Sequence, residues 1–167
     1  MTNNFKQNTS SIISANGFQF GVYEWSTGAS WTNGVPINGG SVTVNVVGGG
    51  NPSGYDDIAN LFLDSLVLTQ GFIAVAGSLE VGTVTFGATT DSLYSDTNLG
   101  APAPVLTIDG FSGAGTYGRV AATGANAVTY VNATSDPGEI YQVDGGGELV
   151  LTPGPSCRAS GALPRPR

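Results

Sequence analysis

Carboxylates are the main reactive groups of this chain, which carries twelve Asp and Glu, a single cysteine (Cys157) and no histidine. Lacking histidine, it has neither the commonest general base nor the commonest metal ligand, and no Ser-His or Cys-His nucleophile pair. One cysteine closes no internal disulfide and builds no zinc cluster. Asp56-Asp57, in the run Gly54-Tyr-Asp-Asp-Ile58 with Asp64 nearby, could hold Ca²⁺, which takes about six to eight oxygens. The competing reading is a solvated corner. It is preferred because the calcium-binding nonapeptide is missing; Gly48-Gly-Gly-Asn-Pro52 and Asp144-Gly-Gly-Gly-Glu148 share only its composition.

Glu24 with Asp56 or Asp57 could form the carboxylate pair of a polysaccharide hydrolase, which needs a separation of about 5 to 10 Å. Twelve acids make such a pairing easy to find by chance, so no catalytic residue is assigned and the expectation is a protein without catalysis. Lyases acting on acidic polysaccharides need a base, and before residue 157 the only cations are Lys6 and Arg119. Gly115, Gly118 and Gly124 lack the spacing and the lysine of a phosphate loop. Asn132-Ala-Thr134 fits the short N-glycosylation pattern and receives no role. No metal or cofactor is expected.

Tyr23, Trp25 and Trp31 form an aromatic cluster. Exposed rings stack on sugar faces, which makes these three the candidate ligand-binding residues and a carbohydrate-binding module one alternative. The preferred reading is that the rings cap one end of the fold, since an uncapped end would bare strand edges and core.

These residues need elements to hold them, and the chain offers strands. Val42, Val44 and Val46 alternate with polar residues; Leu61, Leu63, Leu66 and Leu68 follow, then Ile73 and Val75, Leu79 and Val81, Val84 and Phe86. Further pieces run over 105–109, 128–132, 140–143 and 149–151. Gly-containing pairs such as Asn33-Gly34 and Asp109-Gly110 punctuate them. From Leu61 to Phe86 strand starts recur every five to seven residues, tighter than the roughly 8 to 12 of a sandwich. The spacing predicts an all-β chain folded as a short parallel β-helix, or β-solenoid, with an irregular β-sandwich as the alternative. A short echo, Ser65-Leu-Val-Leu-Thr-Gln-Gly71 against Glu148-Leu-Val-Leu-Thr-Pro-Gly154, agrees with stacking. Loops or long corners are expected over 88–104 and 112–126, where the pattern loosens.

At 167 residues the chain suits one domain. It divides into an N-terminal cap segment (1–27), a solenoid-like domain (28–156) and a tail (157–167). The tail holds three of the five basic residues and no strand pattern, and is expected to be disordered or the altered end of a longer chain. Up to residue 156 two cations face all twelve acids, a balance of −10, so neither nucleic acid nor an anionic membrane surface is an expected partner. No apolar run reaches the roughly 18 to 20 residues of a membrane span, and the polar N-terminus lacks a cleavable secretory signal.

Trp31-Thr-Asn-Gly34-Val-Pro36 followed by Gly40-Ser-Val42-Thr-Val44 resembles the opening of bacterial surface β-solenoids, the autotransporter passengers and filamentous-haemagglutinin-like adhesins. The resemblance implies a right-handed parallel β-helix, export to the cell surface or medium, and a structural or adhesive role. Glycans or other surface proteins are the partners it suggests.

Overall fold

The computed structural model describes residues 2–5, 22–28, 31–45, 53–88, 91–100, 102–113, 118–133 and 140–152. Its strands are β1 (Thr2–Phe5), β2 (Val22–Glu24), β3 (Gly40–Asn45), β4 (Ser53–Asp56), β5 (Leu61–Gln70), β6 (Phe72–Val75), β7 (Ser78–Phe86), β8 (Ser92–Asp96), β9 (Val105–Ile108), β10 (Arg119–Thr123), β11 (Val128–Val131), β12 (Ile140–Asp144) and β13 (Glu148–Leu151). Odd-numbered strands form a seven-stranded sheet and even-numbered strands a six-stranded sheet, each in chain order. Every strand pairing among the described residues is parallel. The chain therefore crosses from one sheet to the other and back with each rung, which is a β-solenoid and excludes the sandwich, whose sheets are antiparallel.

Stacking in register places like on like. Leu61, Leu79, Leu106, Thr129 and Leu149 share one inward column, and Leu63, Val81, Ile108, Val131 and Leu151 the next. Val42, Leu66, Val84 and Phe111 form a third. The other sheet contributes Ile73, Leu93, Val120 and Tyr141. These columns enclose one apolar core, and burial of their side chains is the main favourable contribution to the fold.

Leu61–Leu63 and Leu66–Leu68, expected as separate strands, lie within β5, and both members of each pair are buried. The three-residue step from Leu63 to Leu66 is a corner, at which the inward-outward alternation restarts. The same step recurs in β7 between Val81 and Val84, across Gly82. A Cβ on Gly82 would stand 3.0 Å from the carbonyl oxygen of Asp64 in the rung beside it, so a side chain there would be tightly packed against the neighbouring backbone.

Two expectations need correction. β8 and β10 lie within the stretches expected to be loops, because short side chains such as Ser95 and Ala122 also fill inward positions and weaken the apolar signal. The echo pairs non-equivalent places: Leu66 stacks on Val42, whereas Leu149 belongs to the column of Leu61. Within the N-terminal segment 1–27, β1 and β2 are the first strand of each sheet. The tail (157–167), Lys6 and Val46 lie outside the described residues.

Thr129 interrupts an otherwise apolar column. Its hydroxyl, fully buried, donates to the carbonyl of Ala121 at 2.8 Å and lies 2.9 Å from the hydroxyl of Ser95, so a polar bridge ties the two sheets through the core. Thr129→Val is expected to lower stability by about 1–2 kcal/mol, because Ser95 then keeps a buried hydroxyl without its partner. Adding Ser95→Ala should recover part of that loss. Urea midpoints of the two variants check this, and simple additivity of the substitutions would contradict the bridge.

Candidate functional site

The carboxylates and aromatic rings singled out above converge where β2 meets β4, at one end of the six-stranded sheet. Glu24 of β2 is in register with Tyr55 of β4, and the backbone N–H of Trp25 donates to the carbonyl of Tyr55 at 3.1 Å. The Tyr55 hydroxyl donates to a Glu24 carboxylate oxygen at 3.0 Å. Burial, followed by the Glu24 carboxylate, pushes the Tyr55 phenol well above its ordinary range. Asp57 accepts from the backbone N–H of Ser26 at 2.8 Å and from its hydroxyl. These three bonds staple rung one to rung two from the outside.

Asp56 faces the other way. It is fully buried, at an inward position whose register partners in the following rungs are Val75, Ser95, Ala122 and Val143. Oδ1 accepts from the backbone N–H of Ile58 at 3.0 Å, while Oδ2 is buried with no hydrogen-bond partner among the described residues. Burial pushes its carboxyl up to about 7; the Ile58 bond works against the shift and the neighbouring Asp57 charge adds to it. The expected solvated corner is thus overturned at Asp56: alternation within β4 directs this side chain inward.

Trp25 and Trp31 are 0% and 2% exposed and belong to the core. Their rings meet edge to face with centroids 5.3 Å apart, and the Trp31 indole N–H donates to the carbonyl of Trp25 at 2.8 Å. Rings so enclosed offer no face to a sugar, which removes Trp25 and Trp31 as a stacking platform. They fill the core at the first rungs. The backbone of Tyr23 lies in β2, and its side chain is outside the described part of the structure.

Of the carboxylates considered for a hydrolase, Glu24 and Asp57 reach the same two rungs, each hydrogen-bonded within the protein, while Asp56 is fully buried. Asp64 is exposed on β5, in the other sheet, away from the calcium trio imagined for it. Among the described residues no group of three or more His, Cys, Asp or Glu comes together as a metal site. Asn132 is held between Asp109 and Thr152, at 3.0 Å to each, and Thr134 of its sequence motif lies outside the described residues.

Two features escaped the sequence. Asp91 is fully buried between rungs, where its carboxylate accepts from the N–H groups of Gly71, Gly87 and Ala88. Burial raises its pKa while those three bonds oppose the rise. In addition, Phe62, Glu80, Thr107 and Tyr130 share one outward column of the seven-stranded sheet, with Phe62 and Tyr130 exposed. Neither was legible without the register.

The class that this geometry defines is a two-sheet parallel β-solenoid. No family model matches the chain, and no curated protein or solved structure matches it either.

Proposed function

We propose that the chain is a structural or adhesive module of a secreted bacterial surface protein, acting without catalysis and placed outside the cell or on its surface. The observation that carries this reading is the outer wall of the seven-stranded sheet, where exposed Phe62 and Tyr130 flank Glu80 and Thr107 along one straight column. With strands about 4.8 Å apart, the two rings stand roughly 14 Å from each other on a rigid surface, a spacing suited to an extended glycan or a partner's surface strand. Polar side chains stack beside them: the hydroxyls of Thr85 and Ser112 lie 2.6 Å apart, and Asp109, Asn132 and Thr152 form a ladder. The resemblance of residues 31–44 to surface β-solenoids points the same way.

Immobilised polysaccharides and extracellular-matrix proteins test the reading by surface plasmon resonance with the purified chain. Retention on at least one, weakened ten-fold or more by Phe62→Ser with Tyr130→Ser, is the expected result. No retention on any surface, or equal retention of the double variant, would remove the adhesive reading at this column.

A further inference from the structure

Among the described residues, two buried polar atoms without hydrogen-bond partners sit in the first two rungs of the six-stranded sheet: Oδ2 of Asp56 and the indole N–H of Trp25. Both residues are 0% exposed. They occupy successive rungs, since Glu24 is in register with Tyr55 and Trp25 and Asp56 come next on their strands. An ionised carboxylate at this place is costly, because it is shut off from bulk solvent and faces no counter-charge among the described residues. The titratable groups around it are Asp57 and Tyr55 from its own segment and Glu24 from β2. The neighbouring β6 of the same sheet carries no titratable residue, and in the opposite sheet β1 and β3 carry none and β5 only the exposed Asp64. Arg119, the sole cation among the described residues, is on β10, three strands away across the sheet.

The two sides of Asp56 are held unequally. Toward β6 its carbonyl accepts from the N–H groups of both Ala76 and Gly77, at 2.9 and 3.2 Å. Toward the end of the sheet lies β2, three residues long and, among the described residues, paired with β4 alone. A short edge strand opens more readily than an interior one. When the buried carboxyl loses its proton, the nearest water is therefore reached by displacing β2 and its tryptophans.

We propose that Asp56 is a proton-operated latch on the N-terminal rung: protonated, it lets β2 and the Trp25–Trp31 pair close over β4, and ionised, it releases them. Release bares the edge of β4, which is then open to pairing with another strand. Proton concentration would in this way govern whether that end of the solenoid is closed or able to associate. The inference is independent of the adhesive reading above.

The chain supplies its own probe. Its only two tryptophans are Trp25 and Trp31, so intrinsic fluorescence reports on this rung, and with no histidine in the chain an ordinary side chain titrating near neutrality is absent. Between pH 5 and 9 the full chain should show one transition near neutrality, with red-shifted emission and stronger acrylamide quenching on the alkaline side. Amide protection factors should fall at least ten-fold in 22–28 while those of β7 and β9 hold. Asp56→Asn should abolish the transition. Should that variant fail to fold, ¹³C NMR of the Asp56 carboxyl in the unaltered chain must titrate with the same midpoint as the fluorescence. Flat emission across this range, an unchanged transition in Asp56→Asn, a carboxyl midpoint that differs, or loss of protection throughout the chain would each overturn the latch.

Discussion

Gly118→Ala is expected to destabilise the protein by about 3 kcal/mol or more, through overpacking of the core. A Cβ at residue 118 would fall within the ring of Phe86, on Cγ, Cδ1 and Cδ2, well inside the 3.0 Å that such contacts respect. Neither partner has room to yield. The backbone here is fixed by the Gly118 carbonyl accepting from Ile140 and by the next residue's N–H donating to the carbonyl of Asp91, each at 2.9 Å. The Phe86 ring is 4% exposed and stacks on Phe111, centroids 6.3 Å apart. At roughly 2–4 °C per kcal/mol for a chain of this size, the melting temperature should drop by about 6–12 °C. In a Phe86→Leu background the same substitution should cost clearly less, since the ring is gone. Equal losses in the two backgrounds, measured by calorimetry, would show that the ring is not what forbids the methyl.

The second large effect concerns pH. The Asp56 carboxyl is raised by burial to about 7 in the folded chain, against roughly 3.9 when unfolded. The folded state thus binds this proton more tightly, and stability must increase as pH falls from about 8 toward 5, with no further gain from this group below about 4. Asp91 is shifted in the same direction and adds to the trend. At 1.36 kcal/mol per tenfold change in proton affinity the full Asp56 difference is about 4 kcal/mol. Urea unfolding at pH 5.5 and pH 8 should therefore give the higher midpoint at pH 5.5, with the difference much reduced in Asp56→Asn. A midpoint that rises with pH over this interval would contradict a buried, unpaired Asp56.

Both effects rest on positions where the sequence was ambiguous. Alternation marked Leu61, Leu63, Leu66 and Leu68 as inward, and their tight recurrence pointed to stacked rungs; the structure places all four in the core columns. Apolar side chains carry that signal because a strand alternates faces with a period of two. The signal failed at β4, β8 and β10, whose inward positions include Gly54, Asp56, Ser95 and Ala122. Parallel stacking explains why small and polar residues survive there, since each has a larger apolar residue in at least one neighbouring rung: Ile73 beside Gly54, Val75 beside Asp56 and Ser95, Val143 beside Ala122. The aromatic cluster was legible as a cluster. Whether its rings faced solvent or core was not, because residue type fixes what a ring can do and burial alone selects between a sugar platform and a plug.

By itself, then, the sequence determined the class of the chain: all-β, short-stranded, turn-rich, acidic and without histidine, folded by stacking rather than by hairpins. These properties are local or additive, set by side-chain period, glycine placement and counted charge. Tertiary structure alone decided which distant residues share a column: Phe62 with Tyr130, Ser95 with Thr129, Trp25 beside Asp56. Rungs of unequal length do not reveal their register in one dimension. A carboxylate becomes a buried proton site, and a glycine the bed of an aromatic ring, only when neighbouring rungs close over them.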